Sequence, residues 1–589
     1  MAQTTNISAA SSFIKPVKAW WKSGNVMQIY PSSYKDTTGT GTGDIPGIQS
    51  KIPYMKDLGI DIVWLSPIFE SPLYDMGYDI SDYRQVDPRY GTNDDLLSLF
   101  SALHSQGMKC LLDLVVNHTS HQHAWFKEAR SSRTNPKRDW YIWRDAVIGP
   151  NGERIPPNNW KAAFEGSCWE WDEGTGQYYF HLFLAEQPDL NWENPDVRGA
   201  IYEVMRFWMD QGCDGFRMDV INLISKNTTF PDAPITDPGQ FLQNGFSPNG
   251  PRVHEFLQEM HREVCEHYDM MTVGEVPGTG PQEMLLFTRP ERKELQMGFT
   301  FEHVEVGLNA MHRKVVDPWP LTAFKTIINS WQVTMEQGGG WHALYIENHD
   351  QPRSISRYAN DAPEWREKSG KLLALMHTTL CGTVYIYQGQ EIGMVNVPNT
   401  WPLEEFKDVE TQNFIKALKG RGVPDVEAMQ KRVFAKARDN ARVPMSWDAS
   451  PNAGFSTGKP WMRVNDDYKE YNAKNQMDDP KSVRSFWKMM LKLRKEHESL
   501  IYGSFTMLSN DDERIFAYTR SGVDDNGTTL HYLVVLNFTD QPVTYHIPLD
   551  AENLGNASLV VDTYGEEVAI LKDQVTLRAY EGVLYQLWL

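Results

Sequence analysis

Through the first two-thirds of the chain, short apolar runs alternate with amphipathic stretches. Residues 26–30 read as a strand. Ile48, Ile52, Met55 and Leu58 then recur at helical spacing, and Gly59 ends that helix. Residues 60–65 form the next apolar run. Thr92-Asn93-Asp94 caps a helix whose inner face is Leu96, Leu99, Phe100 and Leu103 and which Gly107 stops. Residues 110–116 predict a third strand. A stripe of Val197, Ile201, Val204, Met205, Trp208 and Met209 leads to a fourth, 215–219. Runs at 271–276, 298–301, 343–346 and 383–387 bring the number to eight. Strands that are apolar on both faces and separated by helices imply a parallel sheet covered on both sides. Eight such units predict an α/β fold closed as a (β/α)8 TIM barrel. An open doubly wound sheet is the alternative, but no GxGxxG follows the first strand to bind a nucleotide.

Two interruptions and a change of period complete the layout. Residues 119–190 carry Trp, Gly, Pro and Asn without helical periodicity and read as an inserted small domain B after strand 3. A second irregular insertion spans about 390–460, after strand 8. Pro480 begins a last helix that turns Val483, Phe486, Trp487, Met490 and Leu491 inward. Beyond about 501 the segments 514–520, 530–537, 543–548, 559–564 and 575–589 alternate or are β-branched, and Asp525-Asn526-Gly527 supplies hairpin turn chemistry. The predicted domains are 1–118 and 191–500 for the barrel, 119–190 for the insertion, and 501–589 for a C-terminal antiparallel β-sandwich.

Composition narrows the function. The 589 residues hold 57 Lys and Arg against 77 Asp and Glu, a net charge of −20. Such a chain is repelled by phosphate backbones and anionic lipid, so nucleic-acid partners are not expected. No apolar run is long enough to span a bilayer. The five cysteines stand far apart with no CxxC, and residues 1–20 lack the apolar core of a signal peptide. A cytoplasmic setting fits both facts. Oligomeric state is left open. Aromatic residues reach 12%, enough to furnish sugar-stacking rings as well as a large core.

Catalytic groups of such a barrel sit at the C-terminal ends of its strands. The third strand ends Asp113-Leu114-Val115-Val116-Asn117-His118, the fourth Arg217-Met218-Asp219, the fifth Gly274-Glu275, and the seventh Glu347-Asn348-His349-Asp350. A metal centre is one reading. No HxH or HxxxH pair stands there, however, and Arg217 would place a cation beside the ion. A serine hydrolase is another, but no GxSxG elbow occurs. Carboxyls in different environments suit glycoside cleavage, where one attacks ionised and the other donates a proton.

The segments Asp113-Leu-Val-Val-Asn-His118, Gly215-Phe-Arg-Met-Asp-Val220, Val273-Gly-Glu275 and Ile346-Glu-Asn-His-Asp350 resemble four signature segments of the α-amylase family of glycoside hydrolases. Gln187-Pro-Asp-Leu-Asn-Trp192, the stretch from Ser71 to Asp79 and the stretch from Ala437 to Met445 are similar to the oligo-1,6-glucosidase and α-glucosidase branch. The likeness runs from about Trp20 to the C-terminus.

That resemblance implies roles. Asp219 is the nucleophile, Glu275 the acid/base, and Asp350 the carboxylate that grips the sugar hydroxyls. Arg217, His118 and His349 bond the terminal glucose. Asp75, Tyr78 and Arg438 wall off its subsite, with Arg438 preferred to Arg442 for the bridge to Asp75. Phe164 and Phe183 line the subsite, and Gln187 contacts the leaving-group side. Val220 after the nucleophile accompanies α-1,6 cleavage, so isomaltose and short isomalto-oligosaccharides are the implied substrates, with maltose and sucrose open. The loop of related sucrose isomerases is missing; the region reads Val316-Asp317-Pro318-Trp319-Pro320. Transporter heavy chains that share the barrel but lack these carboxylates, and silent sugar-binding relatives, are the non-enzymatic alternatives. Relatives carry a calcium loop after the first strand. Here Thr38 and Thr40 interrupt it between Asp36 and Asp44, so no metal or other cofactor is expected.

Overall fold

The computed structural model describes residues 17–234, 248–308, 315–420, 426–523, 527–549, 554, 557–565 and 571–588. The Asp525-Asn526 part of the expected hairpin turn lies outside them. All eight predicted barrel strands are present: β1 (Asn25–Ile29), β2 (Ile62–Leu65), β3 (Lys109–Val115), β4 (Gly215–Asp219), β5 (Met271–Glu275), β6 (Met297–Phe299), β7 (His342–Leu344) and β8 (Thr383–Tyr387). Each pairs in parallel with its sequence neighbours, and β8 pairs with β1 to close the ring.

Parity decides what each strand offers to either side. Val26, Ile62, Trp64, Leu111, Met271, Val273, Met297, Phe299 and Tyr385 pack together inside the barrel. Met27, Val63, Leu65, Leu112, Phe216 and Met218 join the cluster that packs the helices outside. Gln28, Asp113, Arg217 and Glu275 share the inward parity at the C-terminal ends of their strands. The barrel therefore has an apolar floor and a polar mouth. Register aligns these groups: Arg217 stands opposite Asp113 on one side and Val273 on the other.

The helix expected over Ile48–Leu58 is two, Ile45–Ser50 and Ile52–Leu58. Pro53, in the first turn of the second, has no N–H to continue the ladder from the first. The helix Asn93–Ser105 begins with a Thr92/Asp95 capping box. Ser482, rather than Pro480, caps the last long helix, Val483–Glu496.

Between β3 and the helix Pro195–Asp210 lies a three-stranded antiparallel sheet, Trp143–Arg144, Gln177–Phe180 and Trp169–Asp172. Its core includes Phe230 and Leu223 from the segment after β4, so the insertion is completed by a piece remote in sequence. The insertion after β8 is less irregular than expected: it carries helices Val409–Gly420 and Val426–Phe434.

At the C-terminus, β9 (Ser504–Met507), β10 (Ile515–Val523), β11 (Thr529–Asn537), β12 (Val543–His546), β13 (Ser558–Asp562), β14 (Gln574–Leu577) and β15 (Gly582–Leu587) follow. A five-stranded sheet β9-β10-β11-β15-β13 faces the β12-β14 pair across one apolar core. The run 575–589 thus divides in two, at a turn where Tyr580 takes a left-handed φ of 50°. Two fully buried guanidiniums, Arg494 on the last barrel helix and Arg520 on β10, line its junction with the barrel. Arg494 donates to the carbonyls of Leu380 and Leu500 (both 2.8 Å), and Arg520 to those of Leu500 (3.0 Å) and Gly503 (2.6 Å).

Candidate active site

The polar mouth is organised by Arg217. Its Nη1 donates to Asp113 Oδ1 and to Asp219 Oδ1, each at 2.8 Å, and its Nη2 to Glu275 Oε2 at 2.5 Å. The guanidinium is buried, with the Trp64 ring centroid 5.2 Å and the Tyr78 centroid 5.6 Å from its carbon. One positive charge stands against three buried carboxyls, and burial disfavours the charged forms of Asp113 and Asp219. Burial raises Asp113 to about 6 against the opposing pull of Arg217. Burial also raises Asp219, with Glu275 and Asp113 adding to it and Arg217 again opposing.

The backbone after Asp219 serves the same group. Val220 sits at φ 33°, ψ 42°, a left-handed conformation that is costly for a β-branched residue. It turns its N–H toward Glu275 Oε2, 3.3 Å away. With two donors on Oε2, Oε1 of Glu275 is the oxygen left to carry a proton. The Val220 side chain packs into the insertion's core with Ile142, Trp160 and Phe230.

Asp350 lies on the loop after β7, turned back by a bond from its own N–H to Asn348 Oδ1 (2.8 Å). Arg353 and the N–H of Ser354 bind Glu347 and anchor that loop. Burial disfavours the Asp350 charge, yet His349, Arg442 and Arg438 outweigh it and hold the carboxyl well below its usual range. Arg442 Nη2 is 2.5 Å and Arg438 Nη1 3.5 Å from Asp350 Oδ1. Burial drives His349 down to about 3, so its ring is neutral.

The rear wall joins elements far apart in sequence. Arg438 Nη2 meets Asp75 Oδ1 at 3.3 Å and Asp408 Oδ1 at 2.8 Å. Gln187 is fully buried and braces this wall, donating to Asp75 Oδ2 (3.2 Å) and to the Tyr78 carbonyl (3.3 Å). His118 Nε2 lies 2.9 Å from the same carbonyl, and burial lowers its pKa. Phe183 packs 5.2 Å from the His118 ring and 5.6 Å from Phe164, and Arg438 stands 5.1 Å over Phe164. Tyr78 stacks on His349 at 5.3 Å and donates to Asp113 Oδ2 at 3.1 Å.

The structure thus gathers Asp219, Glu275, Asp350, Arg217, His349, Tyr78, Asp75 and Arg438 at the barrel mouth, with His118, Gln187, Phe164 and Phe183 in the adjoining wall. Sequence reasoning left out of the site Arg442, which holds Asp350, and Asp113 and Trp64, which hold Arg217. Asp113 was readable from strand parity. Arg442, one helical turn beyond Arg438 in the same motif, enters the sequence reading only as the alternative partner of Asp75.

In the loop between β1 and the first barrel helix, Asp36 and Asp44 are both engaged by protein donors. Asp36 Oδ1 accepts from the N–H groups of Thr38 (2.8 Å) and Gly39 (2.9 Å), and Oδ2 from Gly41 N–H (2.7 Å) and the Ser456 hydroxyl (2.5 Å). Asp44 is the N-cap of the helix Ile45–Ser50, accepting from Gly47. Lone pairs committed to protein donors are not available to a hard cation. Among the described residues no cluster of three His, Cys, Asp or Glu could hold a metal, and no helix is long and apolar enough to cross a membrane.

The profile of the α-amylase catalytic domain matches residues 28–503. An α-glucosidase of Schizosaccharomyces pombe is 47% identical over 98% of this chain and 99% of its own length. An oligo-1,6-glucosidase of Parageobacillus thermoglucosidasius is 45% identical over 97% of this chain and 99% of its own. The solved trehalose-6-phosphate hydrolase of Bacillus licheniformis, a mutant in complex, superposes with a TM-score of 0.90 at 43% identity, covering 97% of this chain and all of that one. A matching profile over most of the chain, near-complete relatives and a barrel mouth of carboxyls on one arginine agree: the chain belongs to the α-amylase family.

Proposed function

We propose that the protein is a retaining, exo-acting α-glucosidase that releases glucose from the non-reducing end of short α-glucosides. The observation that carries this reading is Arg217 bridging Asp219 and Glu275 in front of a wall closed by Asp75 and Arg438. Asp219 Oδ1 stays on Arg217, leaving Oδ2 to attack the anomeric carbon. Glu275 gives the proton on Oε1 to the glycosidic oxygen, and the aglycone departs. A glucosyl–Asp219 ester remains. Glu275, now ionised, takes a proton from water as that water attacks the same carbon, and Asp219 leaves with net retention. Retaining pairs work about 5–5.5 Å apart, and in this reading the sugar sits between the two carboxyls that Arg217 holds. Asp350, kept ionised by its arginines, accepts hydrogen bonds from the ring hydroxyls and favours the distorted sugar of the transition state.

The closed rear wall leaves room for one terminal residue. Val220 supports isomaltose and isomalto-oligosaccharides over maltose and sucrose as substrates, and the relatives named oligo-1,6-glucosidase support the same choice. The saturated Asp36 and Asp44 support a reaction without metal. The five unpaired cysteines support an intracellular setting.

Asp219→Asn tests the mechanism. It should lower kcat on a chromogenic α-glucoside by about 10⁴-fold or more while leaving the melting temperature near wild type; an active variant overturns the assignment. Specificity constants for isomaltose, maltose and sucrose test the linkage.

A further inference from the structure

Gln28 stands at the mouth of the barrel without a task in that reaction. Gln28, on β1, is buried and shares the inward parity of Val26. Its Nε2 lies 3.1 Å from Ser66 Oγ and 2.7 Å from Nδ1 of His349. His349 is fully enclosed. The rings of Tyr78 (5.3 Å, 11°) and Tyr30 (6.2 Å, 17°) run nearly parallel to it, and Trp64 meets it edge-on at 6.1 Å. These rings set the plane of the imidazole but not which nitrogen carries its proton. An amide N–H directed at Nδ1 makes that nitrogen an acceptor and leaves the proton on Nε2. Nε2 lies 3.2 Å from Asp350 Oδ2 and 2.7 Å from the Tyr78 hydroxyl. The opposite arrangement would set a bare Nε2 lone pair against the Asp350 carboxylate, which is repulsive.

We propose that Gln28 is a positioning residue: by donating to Nδ1 of His349 it fixes the tautomer that presents Nε2–H to Asp350 and to the sugar hydroxyls held there. The proposal rests on the α-glucosidase reading of this mouth. The charged and titratable groups facing His349 are Asp350 on its own loop, Arg217 on β4, Arg438 and Arg442 from the insertion after β8, and Tyr30 and Tyr78 beside the ring. Asp113 lies beyond Tyr78. Burial keeps the ring neutral against the pull of Asp350, so tautomer rather than charge is what Gln28 can set.

Gln28→Glu is the diagnostic variant. The new carboxyl and the imidazole share one proton at the lower end of the pH range. Whichever of them holds it, Nε2 keeps its own hydrogen, and kcat/KM stays within a few-fold of wild type. Loss of the shared proton leaves the ring hydrogen on Nδ1 beside a carboxylate and bares Nε2. The profile of kcat/KM against pH should then fall about tenfold or more through one added ionisation on the alkaline side that wild type lacks. Gln28→Met, which keeps the length without the amide, should lose about 10–100-fold at every pH, the usual cost of removing a group that orients a working histidine. A Gln28→Glu profile parallel to wild type, or a Gln28→Met enzyme with wild-type kcat/KM, overturns the proposal. If Gln28→Glu does not fold, Gln28→Met alone decides. Wild type assayed in parallel separates the two claims, since a wild-type chain inert on α-glucosides overturns the proposed function itself.

Discussion

Asp113 never reaches the sugar in the proposed reaction, yet it shares Arg217 with the nucleophile. Burial, Glu275 and Asp113 push Asp219 upward while Arg217 pulls it down. Asp219 must be ionised to attack, so its titration sets the acid limb of kcat/KM. Asp113→Asn deletes one of the charges that raise it and leaves more of Arg217 for Asp219. The acid limb should therefore move to lower pH, by about one unit, in a kcat/KM profile on a chromogenic α-glucoside. A limb that stays put, or moves up, would show that Asp113 does not act on the nucleophile. At this scale the sequence is readable wherever parity or a strand end marks a residue, as for Asp113, Arg217, Asp219 and Glu275. It is silent where a side chain arrives from a distant loop. Asp408 reaches the site from the insertion after β8, and no spacing along the chain places it beside Arg438.

The loop between β1 and the first barrel helices is held by hydrogen bonds to its two carboxylates. Thr38 and Thr40 stand where more oxygen ligands would be needed, and Asp36 has turned to backbone N–H groups and to Ser456 on the far insertion. Excess EDTA should leave both activity and melting temperature unchanged; a loss restored by calcium would show that this loop holds the ion. Ser456→Ala removes a buried hydroxyl from an ionised carboxylate and should lower stability by about 1–3 kcal/mol, read as a lower melting temperature. Element boundaries were legible to the extent that local chemistry sets them. Thr92 with Asp95 marks a helix start from four residues alone. Pro53 splits a helix that apolar spacing joins. The core of the first insertion was not legible, because Phe230 enters it from beyond β4 and no periodicity links the two segments.

The whole barrel is legible because eight apolar runs separated by helices leave a covered parallel sheet as the only way to bury both faces of each strand. What that pattern does not carry is the electrostatic cost of closing the barrel over polar groups, and acid stability is where that cost appears. Behind β7, His303, His342 and His377 line a void of about 30 Å³. His303 Nε2 is 2.7 Å from the Tyr345 carbonyl and His377 Nε2 3.0 Å from the Leu344 carbonyl, whereas His342 Nε2 is buried with no hydrogen-bond partner among the described residues. Burial lowers His303 to about 3 and His342 and His377 to about 4. Their unfolded pKa is near 6.5, so below that value the unfolded chain binds protons that the folded chain refuses. Their contribution to stability is complete above 6.5 and is lost as pH falls toward 4 and 3. Buried carboxyls such as Asp79 and Asp439, raised to about 6 chiefly by burial, act with the opposite sign, so the net slope of the wild type does not isolate the histidines. The difference between His342→Gln and wild type does. At pH 5 the variant should take up about one proton fewer on unfolding, seen as a shallower dependence of the urea midpoint on pH between 4 and 6.5. Parallel slopes for the two proteins would mean that His342 is protonated in the folded state and that the void behind β7 admits the charge.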